Sequence, residues 1–68
     1  MAAAIDFIIL GDDVEANRDI PNKNIKKGDR GVVVGINCLD SEDYFDIKLT
    51  NGKYIYCSCE NCWNKVES

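Results

Sequence analysis

Histidine is missing from this sequence altogether. Without it the chain lacks the side chain that most often acts as a general base near neutral pH and as the partner of a serine or cysteine nucleophile. That absence argues against an enzyme. Long hydrophobic runs are missing too. The N-terminal apolar stretch ends at Leu10, too short for a bilayer span, and Met1 to Asp6 has no basic residue of the kind that opens a secretory signal. The expectation is a soluble, cytoplasmic protein with no membrane partner. Positive charge is in the minority, eight Lys and Arg against twelve Asp and Glu. Binding to a phosphate backbone needs cations to displace condensed counterions, so nucleic acid is disfavoured as a partner.

The 68 residues are read as one domain, 1–68, with residues 1–4 a frayed N-terminus. A chain this short hides only about 60% of the surface that its unfolded form exposes, which leaves no room for a buried cleft.

What is present is mostly strand signal. Ile5 to Leu10 is apolar apart from Asp6 and closes on Gly11-Asp12-Asp13, reading as a strand that leaves into a turn, with Val14 to Ala16 continuing it after a bend. From Asn17 to Asp29 the composition shifts to Asn, Lys, Asp and the only Pro, with no helical period. This predicts one long ordered loop, anchored to the core by Ile20 and Ile25. Gly28-Asp29-Arg30-Gly31 is turn chemistry, and Val32-Val33-Val34-Gly35-Ile36 predicts a strand covered on both faces, with a bulge or bend at Gly35. Cys38 to Asp43 reads as an acidic loop. Tyr44 to Leu49 then alternates, with Phe45, Ile47 and Leu49 on one face. Lys53 to Ser58 is the returning strand, and a turn at Glu60-Asn61-Cys62 leads into a brief last strand, Trp63 to Val66. The fold class is therefore all-β: a small five-stranded barrel of the SH3-like kind, with a long loop between its first and second main strands.

The hairpin at Thr50-Asn51-Gly52 has two possible registers. A two-residue turn pairs Thr50 with Lys53, buries Tyr54 and Tyr56, and exposes Ile55, Cys57 and Cys59. A three-residue loop with a glycine bulge pairs Leu49 with Lys53, which sends Ile55 and Cys57 into the core and both tyrosines outside. The bulged form is preferred, because buried tyrosine hydroxyls need partners that so small a core can hardly supply.

Gly11-Asp12, Val14 and Ile25-Lys26-Lys27-Gly28-Asp29-Arg30-Gly31-Val32-Val33-Val34-Gly35-Ile36 resemble the KOW type of SH3-like barrel found in transcription-elongation factors and some ribosomal proteins. Lys27-Gly28-Asp29 followed by Gly31, Val33 and Ile36 matches best. The hairpin from Ile47 to Gly52 and the ending Trp63-Asn64-Lys65-Val66 also resemble small stand-alone bacterial barrels of this kind. The likeness covers residues 11–67 as architecture. Such barrels are similar in outline to accessory subunits of photosynthetic complexes, which bind larger proteins and catalyse nothing alone. The resemblance implies a fold and leaves function to the surface residues.

Three constellations remain. Cys57, Cys59 and Cys62 with Cys38 would make a tetrahedral zinc site if all four sulfurs converged at about 2.3 Å from the metal. The other readings are a disulfide, a thiol switch, or buried and idle thiols, Cys57 pointing inward by strand alternation. Tyr44, Tyr54 and Tyr56 fall on one outward face in the bulged register, with Asp46 and Lys48 between them. This face is a candidate partner-binding surface, or cross-strand pairing that stabilises the sheet. Arg18, Lys23, Lys26, Lys27 and Arg30 form a basic loop opposed by Asp40, Glu42, Asp43 and Asp46. That loop is either a KOW-like nucleic-acid contact, one half of a dipolar docking surface, or simply solvated. Together these features point to a non-catalytic protein-binding module, without cofactor, that serves a larger assembly as accessory subunit, regulator or small inhibitor.

Overall fold

The computed structural model describes residues 7–66. Its strands are β1 (Asp13–Ala16), β2 (Arg30–Leu39), β3 (Glu42–Leu49), β4 (Tyr54–Cys59) and β5 (Trp63–Lys65), with 3-10 turns at Pro21–Lys23 and Glu60–Cys62. They form one antiparallel sheet in the order β4-β3-β2-β1-β5. The second 3-10 turn returns β5 to the far side of β1, as in an SH3-like barrel, although β4 and β5 remain the two edges and the sheet does not close. The frayed N-terminus expected over residues 1–4 lies outside the described residues.

The first strand is shorter than expected and lies later in the chain. Of the stretch 5–10, residues 5 and 6 fall outside the described part and 7–10 are not strand. The Asp12 carboxylate accepts the Ile9 N–H at 2.9 Å, and Gly11 takes φ +90°. This side-chain turn competes with extended pairing. Phe7, Ile9 and Leu10 consequently lie exposed, while Ile8 packs against the core. The long loop is ordered as expected: Ile20 and Ile25 bridge one another, and Ile25 is buried in the core. Gly31 belongs to β2 rather than to the preceding turn. A Cβ there would stand 2.6 Å from both Ile47 Cγ2 and the Lys48 carbonyl oxygen.

No acidic loop separates β2 from β3. Their pairing runs out to Leu39 and Glu42, and Asp40 and Ser41 alone make the turn, with φ of 51° and 66°. Positive φ at both central residues is the type I′ geometry that suits the twist of a hairpin. The β3–β4 hairpin takes the three-residue register. Leu49 N–H donates to the Lys53 carbonyl at 2.7 Å, Gly52 N–H donates to the Leu49 carbonyl at 2.9 Å, and Gly52 has φ +90°.

Two bulges flank one residue of β3. Val34 is the extra residue of β2 between Val33 and Gly35, and the β4 register shifts in the same way between Ile55 and Ser58, both opposite Asp46. Cys57 adopts φ +53° in the second bulge. Its N–H donates to Asp46 Oδ1 at 3.0 Å, and Asn37 Nδ2 reaches the same carboxylate from the other side at 3.2 Å. Bulges add local twist, and two at one level curl the sheet around its core. That core is Val14, Ala16, Ile25, Val33, Phe45, Ile47, Leu49, Ile55 and Trp63.

Candidate functional site: the outer sheet face and the β4 edge

Beyond Ile55 the bulge moves Ser58, not Cys57, to the inside. Ser58 is fully buried, and its Oγ accepts the Trp63 Nε1–H at 2.7 Å. Cys57 is exposed, which corrects the expectation that strand alternation would bury it. Alternation holds only while the pairing is one to one, and the extra residue turns everything beyond it over.

The four-thiol cluster does not assemble. Among the described residues no group of three or more Cys, Asp or Glu side chains gathers to hold a metal. Cys38 pairs with Asp43 and Cys59 with Tyr44. Neighbouring residues of a strand point to opposite faces, so the two sulfurs leave the sheet on opposite sides. Cys38, Cys57 and Cys59 are exposed free thiols, and Cys62 is a half-buried one that packs against the core. Burial, with Cys59 beside it, pushes the Cys62 thiol above its ordinary value.

The basic loop is only partly free. Arg18 donates to the Asn61 carbonyl and the Asn17 side chain, Arg30 pairs with Glu15 at 2.9 Å, and Lys23 Nζ donates to the Tyr56 carbonyl at 3.0 Å. Lys26 and Lys27 are exposed.

On the outer face, Tyr54 and Tyr56 form a stacked pair. Their ring centroids are 6.3 Å apart and their planes 12° from parallel, and Lys48 Nζ stands 5.7 Å from the Tyr54 centroid. Both tyrosines are exposed, at 49% and 63%. Tyr44 is on the same face but separate from the pair. It is half-buried, and its hydroxyl donates to Glu42 Oε2 at 3.2 Å. That bond and the Glu42 charge raise the Tyr44 hydroxyl above its ordinary range. Asp46 is occupied in holding the two bulges.

The register then carries this face on to β2: Tyr54, Lys48 and Val32 form one row, and the next pairs Asp46 with Gly35, beside the unpaired Val34. Val32, Val34 and Ile36 are 37%, 45% and 41% exposed, so β2 is not covered on both faces as its composition suggested. An apolar run looks the same in sequence whether or not anything covers it.

A groove of about 260 Å³ lined by Lys23, Lys53, Tyr54, Ile55 and Tyr56 opens beside the β4 edge, and a second of about 280 Å³ lies between Asp19 and Lys26. Both fall below the range of about 300 to 1,000 Å³ in which pockets enclose small molecules. Among the described residues no helix is long and apolar enough to cross a membrane. No family model, curated protein or solved structure matches this chain.

Proposed function

We propose that this chain is a non-catalytic, cytoplasmic protein-binding module that serves a larger protein assembly as accessory subunit, regulator or small inhibitor. The observation that supports this reading is the exposed Tyr54–Tyr56 pair on the outer sheet face. Tyrosine offers a large, rigid, amphipathic contact area with little side-chain entropy to lose, and for that reason is enriched where proteins meet. The pair adjoins Lys48 and the exposed valines of β2, so a partner would meet an aromatic edge, a charged middle and an apolar border. Shallow grooves suit a surface contact better than an enclosed substrate.

The test is the double substitution Tyr54→Ser with Tyr56→Ser. A partner is first identified by affinity capture from the native cell, then purified and titrated by calorimetry. The expected result is loss of binding with the cooperative melt retained. Unchanged affinity in the double variant overturns the reading.

A further inference from the structure

We propose that the free edge of β4 accepts an extended acidic segment of the partner as an added strand, seated between Lys23 and Lys53 along Tyr54 and Tyr56. This depends on the protein-binding reading above and narrows the partner to one chemistry.

The geometry begins with the hairpin. Leu49 N–H bonds to the Lys53 carbonyl, which makes Leu49–Lys53 a hydrogen-bonded position. Antiparallel ladders alternate, so Lys48–Tyr54 is a position without hydrogen bonds, and Ile47–Ile55 is bonded again. The backbone groups of Tyr54 and Tyr56 therefore point away from β3, toward an edge that no strand covers among the described residues. Lys23 corroborates this direction, since its ammonium reaches the Tyr56 carbonyl from outside the sheet. Beyond Tyr56 the edge ends, because Cys57 turns its N–H to Asp46.

Charge selects the occupant. The chain carries a net charge of −4, yet Lys23 and Lys53 line the groove at this edge and Lys48 lies over Tyr54. Among the described residues the ion pairs are Arg30 with Glu15 and Lys65 with Asp12, neither involving these three lysines. Lysines on a sheet edge discourage pairing with a like-charged strand, here a second copy of this chain. The same lysines attract carboxylates. As an acidic strand enters, the Lys23 ammonium leaves the Tyr56 carbonyl, which then accepts a peptide N–H, and its charge pairs with an incoming carboxylate. Main-chain bonds supply affinity in such an addition, and the side chains along the edge supply specificity. A nucleic-acid strand fits less well, because its backbone has no alternating N–H and C=O groups with which to continue the β4 ladder.

The test uses the isotope-labelled full chain and two short blocked peptides, one alternating valine with glutamate and the other valine with lysine. The glutamate peptide is expected to shift the Tyr54 and Tyr56 amide resonances and to bind about tenfold or more tightly than the lysine peptide. N-methylation of its alternate amides is expected to abolish binding. Lys23→Glu with Lys53→Glu is expected to invert the preference, amide dispersion confirming the fold. Equal affinity for the two peptides overturns the proposal. So does stronger binding of oligothymidylate at the same amides, or self-association through them without peptide. Shifts confined to Tyr44, Asp46 and Lys48 overturn the edge site but leave the outer-face reading intact. That reading falls only if the double tyrosine substitution keeps its natural partner.

Discussion

The Trp63 indole N–H donates to the Ser58 hydroxyl at 2.7 Å, and both side chains are buried. This bond ties the last strand to the end of β4 across the 3-10 turn, the one place where the two edge strands are joined along the chain. It also accounts for a polar residue inside a core of nine apolar ones. A buried indole requires an acceptor, and the bulge at Cys57 delivers one.

Removing that acceptor leaves the indole N–H unsatisfied. Ser58→Ala is expected to cost about 1 to 3 kcal/mol. In a domain of this size each kcal/mol lowers the melting temperature by about 4 to 8 °C. Urea unfolding followed by Trp63 fluorescence measures the loss, and an unchanged midpoint would show that the hydroxyl is dispensable.

Gly31 tests how closely β2 and β3 approach. A methyl group there meets Ile47 Cγ2 and a backbone carbonyl, each at 2.6 Å, and the carbonyl cannot yield without moving the ladder. Gly31→Ala is expected to destabilise by about 1 to 3 kcal/mol through overpacking. At Gly35 the nearest atom is the end of the Asp46 side chain, at 2.8 Å. Gly35→Ala should therefore cost less, and instead loosen the Asp46 contact with Cys57. Paired denaturation curves give the ranking, and equal losses would contradict it.

The thiols differ in burial. A raised thiol value means less thiolate at any given pH, and thiolate is the form that reacts. Cys62, half-buried and raised by that burial, should be alkylated by iodoacetamide after the exposed Cys38, Cys57 and Cys59, and its own rate should climb as pH rises through the alkaline range. Because folding favours its protonated form, the contribution of Cys62 to stability is complete below the unfolded thiol value and is lost as pH climbs through the folded one. Peptide mapping by mass spectrometry resolves the order. Alkylation of Cys62 first would refute its burial.

Much of this architecture is legible in the sequence because local chemistry decides it. Thr50-Asn51-Gly52 marks the hairpin and allows two registers, of which the three-residue loop that keeps the tyrosine hydroxyls in water is preferred and is the one adopted. The alternation of Phe45, Ile47 and Leu49 places β3, and Ile20 and Ile25 are apolar anchors in an otherwise polar loop. What escaped the sequence was non-local. Nothing in Tyr56-Cys57-Ser58 announces that Cys57 will adopt a positive φ, because its stabilising partner, Asp46, lies on another strand. The strongest clue available was Trp63, whose indole needs a buried acceptor somewhere. Likewise, the apolar run of β2 could not reveal that Val32, Val34 and Ile36 would remain partly uncovered.

The sequence by itself thus determined the core of β3, the returning β4, the brief last strand and a preference for outward tyrosines, because each follows from alternation and turn chemistry within a few residues. Tertiary structure alone decided which cysteines are exposed, which cations are already engaged and which strand is left with a free edge. Those outcomes depend on the register between distant segments, and one extra residue opposite Asp46 turns the rest of β4 over.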